Sequence, residues 1–119
     1  MILVDTSVWI EYLRRGDGQL SELLDAGIVI GHPFVAGEVA CGHLRNRIEV
    51  LELFQRLPQA PVVPHAEALG LIERGRLYGQ GLGWIDLHLL ASALSSGCSL
   101  WSFDTTRSRS AEALGIENS

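Results

Sequence analysis

Four carboxylates occupy positions where an acid is either costly or poised for chemistry. Asp5 ends the apolar run Ile2-Leu3-Val4, and Asp104 follows the apolar run Leu100-Trp101 after two residues. When residues are laid out at about 100° each, Glu38 falls between Phe34, Val35, Cys41 and Gly42, in the middle of an apolar helical stripe. Asp86 repeats this pattern among Leu90, Ala93 and Leu94, with His88, Ser92 and Ser95 reading as the opposite, polar face. A carboxylate turned inward persists only if it is paired, hydrogen-bonded or bound to metal, because unpaired burial costs several kcal/mol.

Taken singly, each acid has a structural use. Asp5, like Thr6 and Ser7 beside it, suits a helix N-cap, and Glu38 suits a buried salt bridge to an arginine. Asp86 is a first-turn acid favoured by the helix dipole, and Asp104 a turn or N-cap residue. Taken together they point further. In a parallel sheet, acids past strand ends and acids near the starts of inward helix faces converge on one edge, where open α/β sheets bind ligands. Two carboxylates about 5 Å apart repel by roughly 3 kcal/mol at an effective dielectric near 20, so the group calls for a cation. Oxygen donors alone suit Mg²⁺ or Mn²⁺ rather than zinc. His32, His43, His65 and His88 follow no metal-ligand spacing and read as structural or surface residues. A dication held by carboxylates activates water and neutralises a phosphodiester, which is nuclease chemistry.

Composition narrows the alternatives. The 119 residues form one expected domain, 1–119, with 47% hydrophobic residues and no linker or repeat. All nine basic residues are arginines. The absence of lysine excludes Schiff-base chemistry, a P-loop and a receiver-type phosphoaspartate site. An aspartyl-phosphate phosphatase is disfavoured further because Ser7 stands where its second Asp would be. A net charge of −5 argues against gripping nucleic acid by a broadly basic surface, leaving a bound cation or a local arginine patch. The pairs Arg14/Arg15, Arg45/Arg47, Arg74/Arg76 and Arg107/Arg109 are candidates for phosphate contact, with solvated faces as the default. Cys41 and Cys98 read as buried free thiols. The mostly apolar stretch from Trp84 to Leu94 is too short, and too interrupted, to span a bilayer. Met1–Val4 has no basic lead of the kind a secretion signal carries, so a cytoplasmic location is expected.

The elements that must position these acids alternate between strand and helix. An apolar strand over 1–4 leads into a helix over Val8–Arg15 that ends at Gly16-Asp17-Gly18. Val8, Trp9, Tyr12 and Leu13 share a face that serves either the core or a partner groove, the core being the simpler reading. A short helix with Leu20, Leu23 and Leu24 stops at Gly27, and a second strand covers Ile28–Ile30. Helices are predicted over Phe34–Leu44 after Pro33, over 48–57 before Pro58, over His65–Tyr78, over Trp84–Ser95 before Gly97, and over Arg107–Leu114. Strands are predicted at Ala60–Val63, Cys98–Ser102 and Gly115-Ile116. This gives an α/β fold, a parallel-sheet three-layer α/β/α sandwich with about five short strands.

The residues resemble a known family. Asp5-Thr6-Ser7-Val8-Trp9-Ile10 is similar to the opening motif of the PIN domain, and Glu38 within Val35-Ala36-Gly37-Glu38-Val39 is similar to its second acid. The stretch from Asp86 through Leu94, then Gly97 and Leu100-Trp101-Ser102-Phe103-Asp104, resembles its closing pattern of acid, small-residue helix, glycine, strand and final acid. The resemblance covers nearly the whole chain and is strongest to short bacterial VapC-type toxin ribonucleases. It implies Mg²⁺ or Mn²⁺ on Asp5, Glu38, Asp86 and Asp104, with Thr6 or Ser7 orienting water, metal or a neighbouring carboxylate. It also implies an RNA substrate, a homodimer and a cognate antitoxin. Two positions depart from the pattern: Ser102 replaces a commoner Thr, and Arg107 and Ser110 stand where the family is usually apolar. The competing reading is a non-catalytic protein-binding module on the same fold.

Overall fold

The computed structural model describes residues 1–16 and 18–118; Asp17, within the predicted helix stop, lies outside them. Strand β1 (Ile2–Val4) is central, flanked in parallel by β2 (Val29–Ile30) and β3 (Ser99–Trp101) in the order β2-β1-β3. Leu3 pairs with Ile30 on one side and Leu100 on the other. Successive strand side chains point to opposite faces, and Ile2, Leu3 and Val4 are all buried, so β1 is covered on both sides. That is the layered arrangement an unbroken Ile-Leu-Val run predicts.

Five strands are expected, whereas three form among the described residues. The other two positions hold single parallel pairings, Gly31 with Gln59 and Leu100 with Glu117. Around Gln59 the cause is proline: Pro58, Pro61 and Pro64 lack the N–H a ladder needs, so the chain exchanges only Gly31 N to Pro58 O and Ala60 N to Gly31 O, each 2.7 Å. A Cβ at Gly31 would lie 2.6 Å from the side-chain amide nitrogen of Gln59, so a larger residue there would displace that side chain. At Glu117 the pairing rests on two bonds, Leu100 N to Ile116 O and Asn118 N to Leu100 O.

Helices α1 (Thr6–Arg15), α2 (Gly18–Asp25), α3 (Pro33–Ala40), α4 (Arg47–Arg56), α5 (His65–Gly75), α6 (Trp84–Ser96) and α7 (Thr105–Ala113) fill the connections. The third is shorter than predicted: it ends at Cys41, which is exposed, so only Cys98 is a buried thiol. The seam of α1 packs as core, with Trp9 fully buried and its ring 4.6 Å from that of Phe54. In α6 the expected polar face does not exist. Leu87 through Ala93 are all buried, including His88 and Ser92, because this helix lies between α5 and α7 and against β3. Gly97 ends it in the left-handed conformation, φ +66°, that glycine adopts without strain. Among the described residues no helix is long and apolar enough to cross a membrane.

Candidate active site

Asp5 leaves β1 at its carboxyl end, where its N–H still bonds Trp101 O at 2.9 Å. Its backbone occupies the N-cap position of α1, but its side chain makes no capping bond. The carboxylate is fully buried and turned elsewhere. Oδ2 accepts from Ser7 Oγ at 2.8 Å and Ser102 Oγ at 2.7 Å. Each hydroxyl in turn accepts a backbone N–H from the turn after β3: Phe103 N to Ser7 and Asp104 N to Ser102, both 3.0 Å. A hydroxyl has one proton, so these bonds assign both protons to Asp5. Ser102, which stands where the resembled family more often has Thr, thus anchors Asp5. Oδ1 is left to face the site.

Facing it is Arg107, which the sequence marks as one of a close arginine pair and as an arginine at a position where the family is usually apolar. Its Nη1 bonds Asp5 Oδ1 and its Nε bonds Asp86 Oδ1. The side chains are 15% exposed for Arg107, 0% for Asp5 and 13% for Asp86, so this ion triad is largely withdrawn from water. Burial acts to lower the Arg107 pKa, but the charges of Asp5 and Asp86, with Glu38 beyond them, outweigh it and hold the pKa above its ordinary value. Asp86 keeps its first-turn role as well, its Oδ2 accepting Gly83 N at 2.7 Å. Glu38 is half-buried and accepts from Thr6 Oγ1 at 2.8 Å, which turns it toward α1. Asp104 is exposed and caps α7, its Oδ1 accepting Arg107 N at 3.0 Å.

The structure therefore joins Asp5 and Asp86 through one cation, holds Glu38 within electrostatic reach of that cation, and leaves Asp104 as a cap at the rim. Thr6 and Ser7 each orient one carboxylate. An all-oxygen donor set that already shares a positive charge fits a hard dication. As the side chains stand, no three His, Cys, Asp or Glu among the described residues converge tightly enough to hold one, because the guanidinium lies between two of them.

Sequence reasoning missed a second polar network. His32 is fully buried, and its Nδ1 accepts Phe34 N at 3.0 Å as the N-cap of α3. Its Nε2–H therefore donates to Ser92 Oγ at 2.9 Å, and the Ser92 hydroxyl donates to Pro61 O at 2.9 Å. Burial, then the neighbouring His88, push the His32 pKa down to about 4, so it is neutral. The signal was local: a polar residue directly before Pro33, where a helix begins. The ring sequence His32, Phe34, His88, Trp84, His65, with centroids 4.8–5.1 Å apart, continues from it across α3, α6 and α5. Of the other basic pairs, Arg15 bonds Glu11 and Arg47 bonds the Ala40 and Gly42 carbonyls, while Arg14 and Arg45 line a groove that includes Glu38.

Comparison with known proteins bears on the family and the fold. Residues 2–112 match the PIN domain family model. Ribonuclease VapC32 from two strains of Mycobacterium tuberculosis is 51% identical over 105 residues, covering 87% of this chain and 85% of the relative. The crystal structure of FitAcB from Neisseria gonorrhoeae superposes with a TM-score of 0.66 over 94% of each chain, at 22% identity, a likeness of fold. A parallel sheet with a buried carboxylate at its central strand end, a matching family model and a half-identical relative lead to one assignment: this chain belongs to the PIN domain family, and within it to the VapC type.

Proposed function

We propose that the chain is a Mg²⁺- or Mn²⁺-dependent endoribonuclease, the toxin of a toxin–antitoxin pair acting in the cytoplasm as a homodimer. The observation that carries the reading is the sharing of one cation by the Oδ1 atoms of Asp5 and Asp86, two acids remote in sequence. The half-identity to a protein named a ribonuclease supports RNA as the substrate. Asp5, Glu38 and Asp86 would hold the ion, with Asp104 contributing from the rim. When bound, such an ion supplies an activated water and neutralises charge on the phosphodiester. The chain's own part is positioning. Ser7 and Ser102 fix the Asp5 carboxylate so that only Oδ1 faces the site, and Thr6 sets the rotamer of Glu38. An open groove of about 600 Å³ next to Glu38, lined by Ile10, Leu13, Val39, Leu44 and Val50 with Arg14 and Arg45, is the place proposed for an antitoxin segment. Incubation of the protein with total cellular RNA, with and without Mg²⁺, tests the activity. Metal-dependent scission lost in Asp5→Asn is expected, and scission unaffected by chelator would overturn the reading.

One observation favours the binding-module alternative. Arg107 neutralises Asp5 and Asp86 without any metal, as a purely structural ion triad would. The absence of cleavage on every class of RNA would select it.

A further inference from the structure

We propose that Arg107 is a competitor of the dication built into the chain: its guanidinium occupies the cation position between Asp5 and Asp86, and metal enters only when that side chain swings out. The inference rests on the metal-dependent reading above and adds a control to the same site.

Three features carry it. Arg107 bonds the single Asp5 oxygen that the two serines leave free, together with the Asp86 oxygen not engaged by Gly83. These are the two acceptors an incoming ion would need. Second, the Arg107 side chain retains 15% exposure while Asp5 has none, so it lies between Asp5 and solvent and has a way out. Third, release requires no movement of the backbone. Arg107 lies in the first turn of α7, where its N–H is held by the Asp104 carboxylate, so side-chain rotation alone opens the position. The contact also answers the repulsion among Asp5, Asp86 and Glu38, which otherwise face one another with no counter-charge. An arginine cannot be switched off by deprotonation, so only a competing cation or an anion outside the cluster draws it away.

The arithmetic is that of an occupied site. If the guanidinium fills the position more than about nine-tenths of the time, the apparent metal affinity falls about tenfold or more below that of the open pocket. Binding of Mn²⁺ alone, measured by calorimetry on the full chain, is therefore expected to be at least about tenfold tighter in Arg107→Met than in the unsubstituted protein. In the unsubstituted protein, adding Mg²⁺ is expected to move the Arg107 Nε–H resonance from a hydrogen-bonded to a solvent-exposed position. This second measurement decides the matter if Arg107→Met does not fold. Equal affinities with an unmoved Nε resonance, while Asp5→Asn still abolishes binding, would overturn the competition and leave the metal site standing. Failure of Mg²⁺ and Mn²⁺ to bind either protein would overturn both.

Discussion

Helix α3 is held by two buried polar networks of opposite character. At its start, His32, Ser92 and the Pro61 carbonyl form a neutral chain in which each link has its partner. Further along, Glu38 reaches toward a charged cluster in which Asp5, Asp86 and Arg107 are bound together but Glu38 itself has only a hydroxyl. A neutral network that satisfies itself is a fastening. A charged one with more acids than bases carries a net negative charge that a cation from outside would balance.

The sharpest way to test the contrast is to unbalance the charged side. Asp5→Ala strips Arg107, Ser7 and Ser102 of their shared acceptor and should destabilise the protein by about 3–5 kcal/mol, the usual cost of leaving a buried charge without its partner. Adding Arg107→Met should recover about 2 kcal/mol of that, since the two residues are directly coupled. Urea denaturation measures both, and additive losses would mean the pair is not coupled.

On the neutral side the lever is acid. His32 titrates near 4 in the folded protein and near 6.5 when unfolded, so on acidification the unfolded chain takes up the proton first. Stability is full above pH 6.5, falls as the pH drops toward about 4, and is lost by about 3 kcal/mol through this group. The difference in stability between the unsubstituted protein and His32→Gln, followed from pH 7 to 4, should shrink over that window. A constant difference would show that His32 takes up its proton equally readily in the folded and unfolded chain.

The smallest effect belongs at the rim. Asp104→Ala removes the cap of α7 and should cost about 1 kcal/mol, whereas Asp104→Asn keeps the cap and should stay within about 0.5 kcal/mol. If Asp104 contributes to ion binding, Asp104→Asn weakens Mn²⁺ affinity although stability is unchanged; unaltered affinity assigns it to capping alone.

What was legible in the sequence follows the same division. The central strand, the helix after it and the glycine stop of α6 rest on local patterns, an unbroken apolar run and a residue free to adopt positive φ, and these formed as read. Asp5 was legible because a strand end and an acid coincide. Arg107 was visible as a member of an arginine pair and as a departure from the family pattern, neither of which names the carboxylates it meets. The His32–Ser92 pair was illegible because its members lie sixty positions apart. By its spacing Ser92 falls on the polar face of α6, yet it is buried. A helix buried on all sides loses its amphipathic period, so its few polar residues no longer mark solvent.

The single-residue pairings at Gln59 and Glu117 have a bearing on how copies of this protein can meet. They place a short proline-rich segment along one border of the sheet and the chain's last turn along the other, leaving little open hydrogen-bonding fringe for a foreign strand to zip onto. A long open strand edge is thus not offered at either margin among the described residues, and growth into extended β aggregates is discouraged there.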